Sequence, residues 1–176
     1  YAGSCTWLNG VYWVRLVAER PDGLVVIENL GDVGRKKVPT IQAAVEPDLL
    51  YPLLRGRDVQ PWHAAPNLWL ILTQDPEQRT GWPEGIMKMK WPYTYQYLRR
   101  FQAELAQRSG LKKYFNVERD AVWSIYNVGT HTIAPYKVVW REQASVLTCA
   151  LVSSTSLDGQ PEKVVVPDHK LMFVPA

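Results

Sequence analysis

The stretch Val45-Glu-Pro-Asp-Leu-Leu-Tyr-Pro-Leu-Leu-Arg-Gly-Arg-Asp-Val59 carries the most distinctive pattern in the sequence. Its four leucines stand at spacings of one, three and four, so a short helical turn can bury them on one side. Arg55 and Arg57 end this apolar part, and the glycine between them accepts tight backbone conformations. The pattern predicts a charged tip on a rigid apolar base, although a solvated surface turn is also compatible with it.

Composition places the chain among folded proteins. Of its 176 residues, 47% are hydrophobic and 21% are charged, which is too apolar for a disordered chain. We expect a single domain over residues 1–176 and, because the sequence begins at Tyr1 without an initiator Met, a fragment of a longer protein. Cys5 and Cys149 match no disulfide framework or metal motif and favour a reduced, cytoplasmic setting. No apolar run approaches the roughly 18 residues of a membrane span, so no membrane contact is expected.

Most of the chain has the pattern of β-strands. Residues 11–17 and 24–30 are rich in β-branched and aromatic side chains, and Pro21-Asp-Gly23 between them predicts a hairpin turn. Similar patterns recur towards the end of the chain, where residues 169–174 form the last predicted strand. The expected fold class is α+β, with a mostly antiparallel or mixed β-sheet.

One long amphipathic helix is predicted at about residues 93–109. Pro92 suits its first turn, and Ser109-Gly110 suits its end. Its apolar side chains recur at helical spacing and are expected to pack on the sheet. They are Tyr97, Leu98, Phe101 and Leu105.

Basic residues are concentrated in one part of the chain. Residues 88–119 carry eight Lys or Arg against two Glu, a surplus of six charges, whereas the whole chain has a net charge of +3. Such localisation is what an electrostatic footprint for a polyanion requires, although a solvated helix face has the same composition. A second basic segment, residues 31–37, lacks the strand and helix context of a phosphate-binding loop.

Two stretches together resemble a known family, the one from Glu46 to Val59 and Ala134-Pro-Tyr-Lys-Val-Val-Trp-Arg141. Similar pieces lie in the same order around them, namely Asn9-Gly-Val-Tyr-Trp-Val14, the helix ending at Arg108-Ser-Gly110, and Val166-Pro-Asp-His-Lys-Leu171. Together they resemble the TaqI-like C-terminal specificity, or target-recognition, domain of adenine-specific DNA methyltransferases and type IIG restriction–modification enzymes. The resemblance covers most of the chain and indicates a domain type without a catalytic mechanism.

The resemblance implies a sequence-specific double-stranded DNA recognition module of a restriction–modification or phage-defence system, which is not itself an enzyme. The parent protein would be an adenine-specific DNA methyltransferase, with or without restriction activity. Its methyltransferase domain would precede this one in the same chain, act as its partner and bind S-adenosylmethionine. The methyltransferase signature Asn/Asp-Pro-Pro-Tyr does not occur in this sequence, and no cofactor is expected in this fragment.

The expected DNA contacts fall into two groups. Arginine and lysine would neutralise phosphates, and a few residues on loop tips would meet base edges. The phosphate candidates are Arg35, Lys36, Lys37, Lys88, Lys90, Arg99, Arg100, Lys112, Lys113 and Lys137. The base-contact candidates are Arg55, Thr130 and His131.

Structural roles are also expected for some charged residues. Arg57 and Asp58 belong to the shared part of the family pattern, so Arg57 is expected to pair with Asp58 or Asp48 and to pin the turn. Two roles remain open for Lys137, a phosphate contact and a salt bridge on the face of the sheet.

Two other functions remain open. The richness in Trp and Tyr favours a docking module for the methyltransferase half, because these residues are common interface anchors. A metal-dependent nuclease would use Asp48 together with Asp168-His-Lys170, but such short matches often arise by chance. The three histidines are scattered without zinc-ligand spacing, so no metal site is expected.

Overall fold

The structure, a computed structural model, describes residues 1–176 and combines thirteen strands with five α-helices. The strands are β1 Trp13–Glu19, β2 Val25–Asn29, β3 Gln42–Val45, β4 Leu50–Leu54, β5 Val59–Gln60, β6 His63–Ala64, β7 Leu68–Ile71, β8 Gln74–Asp75, β9 Thr80–Gly81, β10 Lys137–Arg141, β11 Cys149–Val152, β12 Val166–Pro167 and β13 Leu171–Pro175. The helices are α1 Asn9–Tyr12, α2 Glu84–Lys90, α3 Pro92–Arg99, α4 Gln102–Ala106 and α5 Ser109–Tyr114. Single 3-10 turns lie at Pro47–Leu49, Gly56–Asp58 and Thr130–Ile133. The predicted α+β class is confirmed.

A six-stranded sheet in the order β12-β4-β7-β1-β2-β3 forms the centre of the fold. All its pairs are antiparallel except β12 with β4, so the sheet is mixed. The predicted hairpin forms from β1 and β2. Its turn is stabilised by Asp22, which accepts a hydrogen bond from the Leu24 amide, and by Gly23 at a φ of +83°.

The leucine-rich stretch forms a strand, so the predicted helical turn is wrong there. After the 3-10 turn, Leu50 to Leu54 form β4, which lies between β7 and β12. The four leucines of the stretch are all buried. A strand covered on both faces has a continuous apolar run, and periodicity alone does not separate such a run from a short buried helix.

The predicted long helix is also wrong, because residues 92–114 form three short helices. Arg100 and Phe101 donate to carbonyls three residues back, and the chain leaves helical geometry before α4 begins. Arg108 is extended, with φ of −61° and ψ of 128°, and separates α4 from α5. The predicted apolar stripe is nevertheless buried in full.

Two contacts fix the position of α3 on the rest of the fold. Glu46 is buried, and its carboxylate accepts hydrogen bonds from the Tyr93 and Thr94 amides and from the Thr94 hydroxyl. It therefore satisfies free N–H groups in the first turn of α3. Further along the same helix, the Tyr97 hydroxyl donates to the Val11 carbonyl at 2.6 Å.

The apolar residues pack in two clusters. The larger contains 26 buried residues from the six-stranded sheet, the helices and residues 123–128. The smaller contains eight and lies on one face of a three-stranded sheet in the order β11-β10-β13. None of the helices combines the length and the apolar character that crossing a membrane would need.

Candidate nucleic-acid interface

The turn after β4 is held by a buried ion pair. Arg55 Nε lies 2.8 Å from Asp58 Oδ2, its second guanidinium nitrogen lies 2.9 Å from Oδ1, and its own backbone amide donates to Oδ2 at 2.9 Å. The guanidinium also donates to Asn67, next to the start of β7. Arg55 is therefore locked into the protein, and the expectation that it meets a base is not supported.

The neighbouring arginine points outward. Arg57 is exposed, and its side chain forms no ion pair or hydrogen bond, so the expected pairing with Asp58 or Asp48 is wrong. Asp58 is the structural acceptor of the turn, but Arg55 is its partner. Arg57 lies with the exposed Arg15 at a shallow depression of about 330 Å³ and is available to an anion there.

A larger depression, which we call the basic groove, has a volume of about 640 Å³. Four segments form it: the loop after β2, the α4–α5 junction, the segment before β13 and residues 5–9. Its basic side chains at the surface are Arg35, Lys36, His169 and Lys170. Lys36 Nζ lies 3.1 Å from Gln107 Oε1, a contact that joins the first segment to the second.

Asp168 fixes the third segment of the basic groove. Its amide donates to the Leu54 carbonyl at 2.8 Å, and its carboxylate accepts from the Lys170 amide at 2.5 Å. The segment also lies against the turn after β4, because a Cβ on Gly56 would be 3.6 Å from the Lys170 Cβ. Lys170 is thus held between the basic groove and the turn that presents Arg57.

Arg108 belongs to the framework of the basic groove. It is 3% exposed and donates to the carbonyls of Leu105, Thr6, Val122 and Ser124 at 3.2, 2.7, 2.6 and 2.9 Å. These bonds tie together segments that are far apart in sequence. Because Arg108 is buried, it does not contribute to the positive surface charge that the sequence predicts for residues 88–119.

A stack of aromatic side chains reaches the basic groove through Trp7. Trp7 lines it and stacks on Tyr114 with ring centroids 5.4 Å apart. Tyr114 stacks in turn on Tyr126, at 4.2 Å. Trp7 also lies directly over Gly110, where a Cβ would meet the indole ring at 2.1 Å.

The same stack borders a second cavity, of about 420 Å³, which we call the aromatic cavity. It is lined by Tyr114 and Tyr126 and by two arginines, Arg79 and Arg119. His131, predicted to contact a base, also lines it and stacks on Tyr1 with centroids 4.0 Å apart. Burial and the nearby Arg79 guanidinium lower the pKa of His131, so its neutral form is favoured near pH 7. Thr130 is exposed beside it.

The other predicted basic residues are distributed over a wider surface. Lys37, Lys88, Lys90, Arg99, Arg100, Lys112 and Lys113 are all exposed. Lys88 pairs with Glu84 at 2.8 Å, and Arg99 lines a mixed-charge cavity that also contains Glu84. Lys112 and Lys113 lie on α5, whose first residue, Ser109, borders the basic groove.

Lys137 does not reach the surface, so neither of its expected roles is supported. It is 1% exposed, its Nζ donates to the Ala134 carbonyl at 2.5 Å, and it forms no salt bridge. Burial lowers the pKa of its ammonium to about 8.

The residues expected of a nuclease are not brought together. Asp48 lines a cavity with Lys163, whereas Lys170 lines the basic groove, and no residue lines both. Asp168 Oδ1, 3.1 Å from His169 Nδ1, already accepts from the Lys170 amide. No group of three His, Cys, Asp or Glu is arranged to hold a metal ion.

Parts of this surface were absent from the sequence-based candidates. Arg79 and Lys170 join the interface through tertiary contacts that no local pattern shows, and Arg119, although it belongs to the basic segment 88–119, was not among the phosphate candidates. Tyr114, which directly follows Lys113, could have been selected as an aromatic residue beside basic ones. Comparison of the chain with protein-family models and with curated proteins gave no match.

Proposed function

We propose that this chain is a double-stranded DNA recognition module that performs no chemistry itself. The proposal is supported most directly by the basic groove, where Arg35, Lys36 and Lys170 line one depression without a carboxylate among its lining residues. Cationic side chains that meet phosphates release counterions and supply most of the non-specific affinity for DNA. A groove with several of them can fix the position of the duplex backbone.

Base contacts are proposed at two places outside the basic groove. Arg57 extends from the turn beside Lys170 and can donate two hydrogen bonds to a guanine edge. At the second place, His131 lines the aromatic cavity and Thr130 is exposed beside it. Neutral imidazole has one donor and one acceptor, so it can discriminate between base edges without adding charge.

The resemblance described above supports a specific setting for the module. The parent would be an adenine-specific DNA methyltransferase of a restriction–modification or phage-defence system in the cytoplasm. The methyltransferase domain of the same chain would bind S-adenosylmethionine and modify the adenine. This segment would select the sequence on which that domain acts.

A docking role is a second candidate, and a different surface favours it. Val138 on β10 pairs with Leu151 on β11 and with Val174 on β13, and all three side chains are exposed. Nearby, Trp62 is 86% exposed and its amide donates to the Cys149 carbonyl. Contiguous exposed apolar residues mark interaction sites. This sheet face could hold the methyltransferase domain while the basic groove holds DNA.

Selection from a random duplex pool separates these two functions. The parent chain and this segment are each incubated with the pool, and the recovered duplexes are sequenced. Recognition predicts that the parent enriches one sequence and loses the enrichment when Arg57→Ala and His131→Ala are combined. Recovery without any enrichment by the parent would exclude sequence recognition and leave docking as the function of this segment. Arg20→Ala, which removes an exposed charge outside the candidate DNA contacts, is the control.

A further inference from the structure

The cavity lined by Asp48 and Lys163, of about 640 Å³, has the opposite character to the basic groove and shares no residue with it. Its aromatic walls are Tyr51, Trp82 and Trp91, and the two indole rings lie 5.5 Å apart at an angle of 56°. Four carboxylates line it, those of Asp48, Asp75, Glu77 and Glu162. Neither DNA recognition nor docking uses these residues.

Gln74 presents an unused hydrogen-bond donor at this cavity. The residue is 2% exposed, and its Oε1 accepts from the Ile125 amide at 2.8 Å. This bond fixes the orientation of the side-chain amide, since only the oxygen can accept from a backbone N–H. The other atom, Nε2, is then a buried donor without a partner. Buried donors are nearly always satisfied, so this one indicates a missing acceptor.

The charge of the cavity selects the kind of molecule that could supply that acceptor. Lys163 is the one basic residue among the four carboxylates, and its ammonium is already committed to the carbonyls of Pro47 and Asp48. The same ammonium lies 4.9 Å from the centre of the Tyr51 ring. The cavity therefore already holds one cation against an aromatic face. No lysine or arginine lies over the Trp82 ring, and over the Trp91 ring there is only Lys90, whose Nζ is 5.9 Å from the ring centre.

Asp75 is positioned to complement a second cation. Its Oδ1 accepts from the amides of Glu77 and Gln78 at 2.8 and 3.2 Å, which fixes the carboxylate in the turn after β8. The second oxygen of this carboxylate makes no hydrogen bond within the protein. Aromatic faces combined with carboxylates attract organic ammonium groups and repel phosphates.

We propose that this cavity binds a small organic cation, an ammonium compound that carries a hydroxyl or carbonyl oxygen. The ammonium group lies against the pair of indole rings, Trp82 and Trp91, and faces the carboxylates of Asp75 and Glu77. The oxygen accepts the hydrogen bond from Gln74 Nε2. This site is independent of DNA recognition, because it lies outside both the basic groove and the aromatic cavity.

Choline and its uncharged isostere 3,3-dimethylbutan-1-ol are the probes that test the proposal. They share size, shape and hydroxyl group and differ only in the charge. The ¹⁵N-labelled protein is titrated with each, and the side-chain NH₂ resonances of Gln74 are followed by NMR. We expect a saturable shift of these resonances with choline and at least tenfold weaker binding of the isostere. Equal affinity for the two compounds, or no saturable shift at Gln74, would overturn the proposal.

Charge removal at the rim provides the matched variants. Glu77 and Glu162 are exposed, so Glu77→Gln and Glu162→Gln leave the fold intact, and together they should weaken choline binding at least threefold. Glu118→Gln removes an exposed carboxylate that lines none of these cavities and should have no effect. Choline affinity unchanged by the double substitution would also overturn the proposal. DNA affinity should be the same in both the double variant and the control, so a failure here is distinguishable from a failure of DNA recognition.

Discussion

Arg55 and Asp58 form an ion pair in which both side chains are buried, with relative exposures of 7% and 6% and an Nε–Oδ2 distance of 2.8 Å. The pair closes the turn between β4 and β5 and leaves Arg57, two residues after Arg55, at the surface. One arginine thus supports the turn and the other is presented by it. Breaking the ion pair should therefore destabilise the fold, whereas replacing Arg57 should leave stability unchanged and weaken DNA binding.

Asp58→Ala should lower the free energy of unfolding by about 3–5 kcal/mol, because it leaves the Arg55 guanidinium buried without its counter-charge. Arg57→Ala should change it by less than about 0.5 kcal/mol, as expected for an exposed side chain. Urea denaturation monitored by tryptophan fluorescence measures both. Equal losses at the two positions would contradict the assignment of Arg55 as the partner of Asp58.

Two helical glycines provide a second pair of matched substitutions. At Gly110 a Cβ would lie 2.1 Å from the Trp7 ring, so Gly110→Ala must displace this indole and should cost about 1–3 kcal/mol. At Gly85 in α2 a Cβ would meet no atom within 4 Å. Gly85→Ala should therefore stabilise the protein by about 0.5–1 kcal/mol, since alanine favours the helix. Thermal unfolding should show shifts in opposite directions, and a stabilising Gly110→Ala would contradict the packing described for Trp7.

Lys137 should make stability depend on pH. Burial lowers the pKa of its ammonium from 10.5 to about 8, so between these values the unfolded state binds more protons than the folded state. The cost of burying the charge is present in full below pH 8 and is relieved as the pH rises towards 10.5. The Lys137→Met variant does not bury this charge. Its free energy of unfolding relative to that of the wild type should therefore fall by up to about 3 kcal/mol as the pH rises across this range.

The comparison of Lys137→Met with the wild type isolates this effect from two other groups. Lys163 shifts in the same direction, with a pKa of about 8, and burial raises the pKa of the Cys5 thiol. Both groups are present in the two proteins, so their contributions cancel in the difference. Denaturation curves at pH 7 and pH 10 suffice, and a difference that does not change between them would show that Lys137 is not buried as a cation.

Arg108→Lys should be strongly destabilising although the charge is kept. Four backbone carbonyls accept hydrogen bonds from the guanidinium, and an ammonium group has neither the number of donors nor the planar geometry to replace it. A loss of about 2–4 kcal/mol is expected, because several buried carbonyls lose their partner. Arg100→Lys, at an exposed position, should have almost no effect in the same urea titration.

Local patterns in the sequence predicted part of the local structure, although they gave a helical turn where Leu50 to Leu54 form a strand. The hairpin of β1 and β2 follows from a Pro-Asp-Gly turn between two apolar segments, and the buried stripe from Tyr97 to Leu105 follows from helical spacing. The continuity of the helix could not be predicted, because the helix is interrupted at Arg100 and Phe101 and Arg108 leaves helical geometry to reach carbonyls of Thr6, Val122 and Ser124. Such contacts depend on tertiary structure, which overrides helix propensity.

The candidate site depended still more on tertiary structure. Arg55 and Arg57 flank one glycine, and the sequence contains nothing that decides which of them is buried. The choice depends on Asn67 at the start of β7 and on the position of β4 in the sheet. Likewise, Lys36 and Lys170 are more than a hundred residues apart, and only the fold places them in one groove.

The central claim is that the basic groove holds the phosphates of DNA, and the salt dependence of binding tests it most directly. Fluorescence anisotropy with a mixed-sequence duplex is measured across a salt series for the wild type and for Arg35→Gln/Lys36→Gln/Lys170→Gln. We expect the slope of log K against log salt to fall by about two to three units in this variant, near 0.9 for each lost phosphate contact. Lys88→Gln/Lys90→Gln/Arg99→Gln removes the same charge from α2 and α3 and should reduce the slope much less. An unchanged slope in the groove variant, or an equal reduction in both, would contradict the account.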